Sequence, residues 1–197
     1  MIDIRDLSLA YNGERVIEDL SLHIEKGGRI AIMGPSGCGK TSLLKAVVGL
    51  IKAEKGSISL VGKVAFVFQE PRLLPWLSAL DNINAVLSDS PATLAEARKW
   101  LEAVGLGDAA DKYPAELSGG MQQRLNIARA LAYGGDVLLL DEPLKGLDAE
   151  TKAAVAELIR SSSAGKTLLL VTHDEAEAKA FADKIYVYRD KNFELKL

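Results

Sequence analysis

The sequence is poor in the features that would set it apart from ordinary globular proteins. A single cysteine, Cys38, excludes an internal disulfide. No apolar run approaches the roughly 20 residues of a membrane-spanning helix. The longest runs, Val137 to Leu140 and Leu168 to Val171, are strand-sized. Basic residues are not in excess: 24 Lys and Arg against 27 Asp and Glu give a net charge of −3, without the footprint of a nucleic-acid binder. The opening Met1-Ile2-Asp3-Ile4-Arg5 has no signal-peptide pattern. Internal repeats, low-complexity tracts and long linkers are missing as well. These absences fit a cytoplasmic protein, and 197 residues suffice for one sizeable core, with or without a small satellite lobe.

What is present is organised around Gly34-Pro35-Ser36-Gly37-Cys38-Gly39-Lys40-Thr41, which fits G-x-x-x-x-G-K-[ST]. The apolar run Arg29–Met33 before it reads as a buried strand. Leu43, Leu44, Val47 and Val48, following Ser42, read as a helix with Gly49 as its stop. Glycines let such a loop wrap closely round a triphosphate, with backbone N–H groups and the helix N-terminus facing the anion. Lys40 is then expected to reach the β- and γ-phosphates, and the Thr41 hydroxyl to ligate Mg²⁺. The loop indicates an NTPase and leaves open what the energy is used for.

The rest of the chain alternates strand and helix. Ile2 to Tyr11 reads as a half-buried strand, Asn12-Gly13 as a hairpin turn, and Val16 to Ile24 as the return strand. Gly56–Leu60 and Val64–Phe68 are expected strands, broken by Gly62. From Pro71 the character changes, and residues 72–117 read as an inserted helical lobe. In it Leu94, Ala97, Leu101 and Val104 share one helix face, closed by Gly105. Ser118 suits the N-cap of a helix running to about Tyr133, with Met121, Leu125, Ala128 and Ala132 inward. Strand, helix, strand, helix and strand follow at Val137–Leu140, Ala149–Ile159, Thr167–Val171, Glu175–Ala182 and Lys184–Tyr188, implying a mainly parallel sheet covered by helices.

Two further stretches carry chemistry. The apolar strand before Asp141-Glu142 delivers two carboxylates to the edge where open parallel sheets place their ligands. Asp141 is expected to hold Mg²⁺, and Glu142 to orient or deprotonate an attacking water. Leu117-Ser118-Gly119-Gly120-Met121-Gln122-Gln123-Arg124 makes a second anion-binding helix start. One phosphate loop has no evident need of a second site, unless two chains share their nucleotides.

With these motifs in order, nearly the whole chain resembles the ATPase subunits of ABC transporters. The resemblance implies an α/β P-loop NTPase cassette with a mainly parallel core sheet, an N-terminal antiparallel β flank and an inserted α-helical subdomain. It implies a single domain, with 1–71 and 118–197 as catalytic core and 72–117 as the helical part. Its implied cofactors are ATP and Mg²⁺. Tyr11 falls where the family stacks an aromatic ring on adenine, and Gln69 where it senses Mg²⁺ and the attacking water. Gly34, Pro35, Ser36, Gly37, Cys38, Gly39, Lys40, Thr41 and Ser42 would surround the phosphates. Leu117–Arg124 matches the family signature, whose Ser118, Gly119 and Gly120 would close over the ATP of a second copy. Leu147-Asp148 matches the loop coupling the two sites, and His173 the histidine that contacts the γ-phosphate. Catalysis would then rest on Glu142, His173, Gln69 and Lys40, and the metal on Thr41, Gln69 and Asp141.

Gln69-Glu70-Pro71-Arg72-Leu73-Leu74-Pro75-Trp76 looks like the corresponding stretch in importers of nitrate, sulfonates, taurine and thiamine-precursor pyrimidines. It never touches the transported solute. The implied partners are transmembrane permease subunits, a second copy of the chain and an extracytoplasmic solute-binding protein acting through the permease. No nucleic acid is expected, and the location would be peripheral on the cytoplasmic face of the membrane. Trp76 reads either as packing of the helical lobe or as part of the permease docking surface. Three departures stand out: Lys145 replaces a residue usually small, the chain between Gly56 and Gln69 is short, and no regulatory domain is expected after His173. Two rival readings are a soluble ATP-switched clamp and a binding-only cassette. The first usually carries two cassettes or long coiled-coil insertions, and Glu142 with His173 argues against the second.

Overall fold

The computed structural model describes residues 1–11, 14–88 and 91–196, the side chain of Tyr11 excepted. The expected Asn12-Gly13 turn therefore lies outside the described residues. In chain order the elements are β1 (Ile2–Tyr11), β2 (Glu14–Ile24), β3 (Arg29–Met33), α1 (Lys40–Val47), β4 (Lys55–Leu60) and β5 (Val64–Val67). Then come α2 (Ala79–Asn84), α3 (Leu94–Ala103), α4 (Gly119–Tyr133), β6 (Val137–Asp141), α5 (Ala149–Ser162), β7 (Thr167–Thr172), α6 (Glu175–Phe181), β8 (Lys184–Arg189) and β9 (Asn192–Leu195). They form two compact units. The first comprises Met1–Val64, Asp136–Glu142 and Gly165–Leu197, and the second Ala65–Gly135 and Pro143–Ala164.

The first unit contains an antiparallel sheet of order β2-β1-β4. Its apolar residues, among them Ile2, Ile4, Leu7, Leu9, Ile17 and Leu20, are almost wholly buried, each contributing about 1.5–3 kcal/mol relative to exposure. Strict alternation would turn Leu7 outward. Instead the pairing register shifts between Ile4 and Leu7, where Asp6 takes a left-handed φ of 47°. The bulge returns Leu7 to the buried face. The same unit holds strands in the order β6-β7-β3-β8-β9, parallel except for the β8–β9 pair. Every residue of β6 and β7 is buried, as expected of parallel strands covered on both faces. Helix α1 packs on β6, and α6 packs on β3 and β7. The C-terminal ends of β3, β6 and β7 thereby carry the phosphate loop, Asp141 and the His173 segment.

In the second unit α2, α3 and α4 share one apolar cluster, built from Ala79, Ile83, Ala97, Leu101, Leu125, Ala128 and Ala132. The inward face read for α4 is the one that packs, with Met121 partly buried against it. Asn82 in α2 is fully buried because its amide organises the preceding loop. It accepts from the Leu74 amide and donates to the carbonyls of Leu74, Leu77 and Ser78. Arg129 of α4 donates to Asn82 Oδ1 and to the Arg72 carbonyl. This scaffold holds Trp76 outward, 70% exposed, so the packing reading of that residue does not hold. Among the described residues no helix is long and apolar enough to cross a membrane.

Candidate active site

The loop between β3 and α1 is shaped by two glycines. A Cβ on Gly34 would stand 2.7 Å from Tyr188 Cβ and 2.8 Å from Cys38 Sγ, too close for any side chain. Gly39 has φ +95° and lies against Val16, so it combines a left-handed turn with close packing. As the N-cap of α1, Gly39 offers no side chain to the first-turn amides, and that turn contains no acidic residue. The positive end of the helix is therefore left for an external anion. Lys40 is buried, and its Nζ donates to the carbonyls of Gly34 (2.8 Å) and Pro35 (2.7 Å). The Cys38 thiol lies 3.8 Å from the same ammonium. Burial pushes that thiol above its ordinary pKa, opposed by the positive charge of Lys40.

The carboxylates meet this loop across 100 residues of sequence. Thr41 Oγ1 donates to Asp141 Oδ1 at 3.1 Å. Asp141 is 1% exposed. Burial raises its pKa; the Thr41 hydroxyl opposes the rise and the neighbouring Glu142 charge adds to it. Glu142 turns out of β6 with a left-handed φ of 45°, while its amide donates to the Val171 carbonyl at 2.9 Å. That conformation costs a non-glycine residue roughly 1–2 kcal/mol. It carries the side chain off the strand line, where Glu142 Oε1 lies 3.4 Å from His173 Nδ1. The Glu142 side chain is 11% exposed and that of His173 is 65% exposed, so the pair runs from the interior to the surface.

Within the second unit, Ser118 Oγ accepts from the Met121 amide at 3.3 Å and caps α4. Gly120 faces Gly146 and Leu147: a Cβ there would meet Gly146 O and Leu147 Cδ2 at 3.7 Å. Asp148 caps α5 through the Thr151 amide at 3.0 Å, and this bond holds its carboxyl below the usual range. Gln69 is exposed just after β5. Gln123 of α4 is 4% exposed and donates from Nε2 to the Pro143 carbonyl at 2.8 Å.

Thr41, Asp141, Glu142 and His173 are thus brought together in the first unit, and Ser118–Gly120 with Leu147-Asp148 in the second. The adenine-stacking expectation for Tyr11 falls on a side chain outside the described ones. Sequence reading missed Tyr188, which walls the phosphate loop from a strand more than 150 residues away. It also missed Gln123, though the signature stretch contains it. Among the described residues no group of three or more His, Cys, Asp or Glu side chains could hold a metal ion alone. The hydroxyl and carboxylate of Thr41 and Asp141 are instead the sparse, hard oxygen donors by which proteins bind Mg²⁺ together with substrate phosphates.

A phosphate loop fed by a parallel strand, with a carboxylate pair at the end of a neighbouring strand, defines a P-loop ATPase. Comparison narrows the class. The family model described as ABC transporter matches residues 17–145. An aliphatic sulfonates import ATP-binding protein, SsuB, from Albidiferax ferrireducens is 44% identical over 197 residues, covering 95% of this chain and 70% of the relative. SsuB 1 of Paracoccus denitrificans is 43% identical, covering 96% of this chain and 79% of its own length. The dimeric post-hydrolysis structure of the ATP-binding cassette MJ0796 bound to ADP and Pi superposes with a TM-score of 0.88 at 28% identity, covering 98% of this chain and 97% of that one. A second dimeric structure of MJ0796, described as a bacterial ABC transporter cassette, gives 0.87 at 29% over the same shares. The chain belongs to the ABC transporter family, as an ATP-binding and ATP-hydrolysing subunit of an importer.

Proposed function

We propose that the chain hydrolyses ATP at the Gly34–Ser42 loop to drive uptake of an aliphatic sulfonate or a related small solute, with nitrate, taurine and thiamine precursors in the same range. The observation that carries the catalytic part is the 3.1 Å approach of the Thr41 hydroxyl to the Asp141 carboxylate, beside a Lys40 that already closes the loop. Thr41, Asp141 and Gln69 would hold Mg²⁺, which when bound neutralises charge on the β- and γ-phosphates. Backbone amides of the loop and Ser42 bind the phosphates, and Lys40 releases loop carbonyls to meet the β- and γ-oxygens. Tyr11 stacks on the adenine. Glu142 aligns a water in line with the γ-phosphorus and takes its proton as the water oxygen bonds to phosphorus. The bond to the β,γ-bridging oxygen breaks, and ADP and phosphate leave. His173, joined to Glu142, contacts the γ-phosphoryl oxygens.

Residues 72–117 serve as a helical subdomain within one ATPase domain whose core is 1–71 and 118–197. Two copies pair so that Ser118, Gly119, Gly120 and Asp148 of one complete the site of the other. The relatives named for sulfonate import and the dimeric cassette of similar fold support this reading. The pair docks on transmembrane permease subunits at the cytoplasmic face of the membrane, and a solute-binding protein delivers cargo on the other side. The test is ATP hydrolysis by the purified chain with and without Mg²⁺, set against Lys40→Ala. Mg²⁺-dependent turnover that disappears in Lys40→Ala, with weakened nucleotide binding, is expected. Normal turnover in that variant would overturn the reading of the loop.

A further inference from the structure

One buried ionisable group has no place in the hydrolytic scheme. Glu177 of α6 is 7% exposed, and its Oε2 accepts a hydrogen bond of 2.8 Å from the Thr172 hydroxyl. Thr172, itself 1% exposed, is the last residue of β7 and immediately precedes His173. The same hydroxyl oxygen accepts from the Asp174 amide at 3.0 Å, on the other side of the histidine. Because Thr172 must donate to the carboxylate, its single proton is committed and its lone pair is left for Asp174. The chain therefore has one direction: Asp174 N–H to Thr172 O–H to Glu177 carboxylate. Asp174 Oδ1 in turn accepts from the amides of Ala176 (2.8 Å) and Glu177 (3.2 Å), which ties the segment to the start of α6. One buried hydroxyl thus spans His173, from Thr172 on one side to the Asp174 amide on the other, and that hydroxyl is held by one buried carboxylate.

Burying a carboxylate is costly unless hydrogen bonds repay it, so a purely space-filling residue would serve better at this position. The exposed ring of His173 has no comparable packing of its own, being 65% exposed with Glu142 Oε1 at 3.4 Å. Its direction must come from the backbone that bears it. We infer that Glu177, acting through Thr172, is the positioning residue that aims His173 at the reacting phosphoryl group. This rests on the role proposed for His173. Displacement of a group by about 1 Å can cost on the order of a hundredfold in rate.

The test uses steady-state ATP hydrolysis by the full chain with Mg²⁺, for Glu177→Ala, Glu177→Gln, Thr172→Val and Thr172→Ser, each alone and with His173→Ala. Glu177→Ala and Thr172→Val are expected to lower kcat by roughly tenfold or more with KM for ATP little changed, because the phosphate loop is intact. Glu177→Gln keeps an oxygen acceptor and Thr172→Ser keeps the hydroxyl, so both should recover most of kcat. Once His173 is alanine, Glu177→Ala and Thr172→Val should have no further effect. Should Glu177→Ala fail to fold, as judged by its thermal transition, the near-isosteric Thr172→Val carries the same test. Wild-type kcat in Thr172→Val, or losses that simply add to that of His173→Ala, would overturn the inference. Normal turnover in His173→Ala would overturn the reading of the histidine itself, and the inference with it.

Discussion

Asp141 is a carboxylate kept out of water beside a second carboxylate, and its energetics follow from that. Its folded-state pKa lies above the ordinary value of 3.8, chiefly through burial. An acid whose pKa is raised by folding binds protons more tightly in the native state. Its ionisation then destabilises the fold as pH climbs past the unfolded value, and the cost is complete above the folded one. Asp141→Asn removes the buried charge while its amide oxygen still accepts from Thr41. We expect the variant to melt higher than wild type at pH 7, by about 2–4 °C per kcal/mol relieved in a chain of this size. The gap should narrow toward pH 4, and Mg²⁺-dependent hydrolysis should be lost. Melts at the two pH values check this; a variant less stable than wild type at pH 7 would refute it. Glu142 shows a complementary economy, since its left-handed backbone spends stability to swing a side chain toward His173.

At the scale of elements, the loop after β5 shows how a rigid support presents an exposed ring. Asn82 and Arg129 satisfy the backbone of residues 72–78 from inside, so Trp76 contributes little to the fold. An aromatic anchor at an interface can be worth 2 kcal/mol or more. Trp76→Ala should therefore leave the melting temperature and basal ATPase activity of the isolated chain nearly unchanged, while lowering co-purification with the permease and transport. Intact permease binding in that variant would exclude Trp76 from the docking surface. Much of this architecture was legible in the sequence because it is written locally. The period of β1, the buried runs of β6 and β7, the Ser118 cap of α4 and the stop at Gly49 each follow from a few adjacent residues. Contacts that join distant residues were not. The Tyr188 wall behind Gly34 and the Arg129 bonds to Asn82 and to the Arg72 carbonyl depend on tertiary placement, whereas the bonds of Lys40 and Asn82 to their own neighbouring loops are local but follow from loop geometry that residue pattern does not show. Strand β9, short and at a sheet edge, offered only four residues of pattern. For the candidate site, the phosphate-loop and strand-end motifs pointed to Thr41, Asp141 and Glu142 and the family resemblance pointed to His173, whereas Thr172 and Glu177 looked like ordinary strand and helix residues.

At the scale of the whole molecule, the signature at the head of α4 has chemistry of its own: a serine cap and two glycines at a helix start free of acidic residues. Its proposed use is in a second copy of the chain, where it would close over that copy's nucleotide. Glu142→Gln tests this most directly, because losing a general base typically slows turnover by about 10²–10⁴ while binding is retained. ATP would then stay unconsumed and hold two copies together. The measurement is molar mass by light scattering in ATP and Mg²⁺, for Glu142→Gln alone and combined with Ser118→Arg. The predicted result is a dimer for Glu142→Gln, dependent on ATP, and a monomer for the double variant, whose arginine would block the contact proposed between Ser118 and the other copy's γ-phosphate. A dimer that persists equally in the double variant would contradict a site shared between two chains.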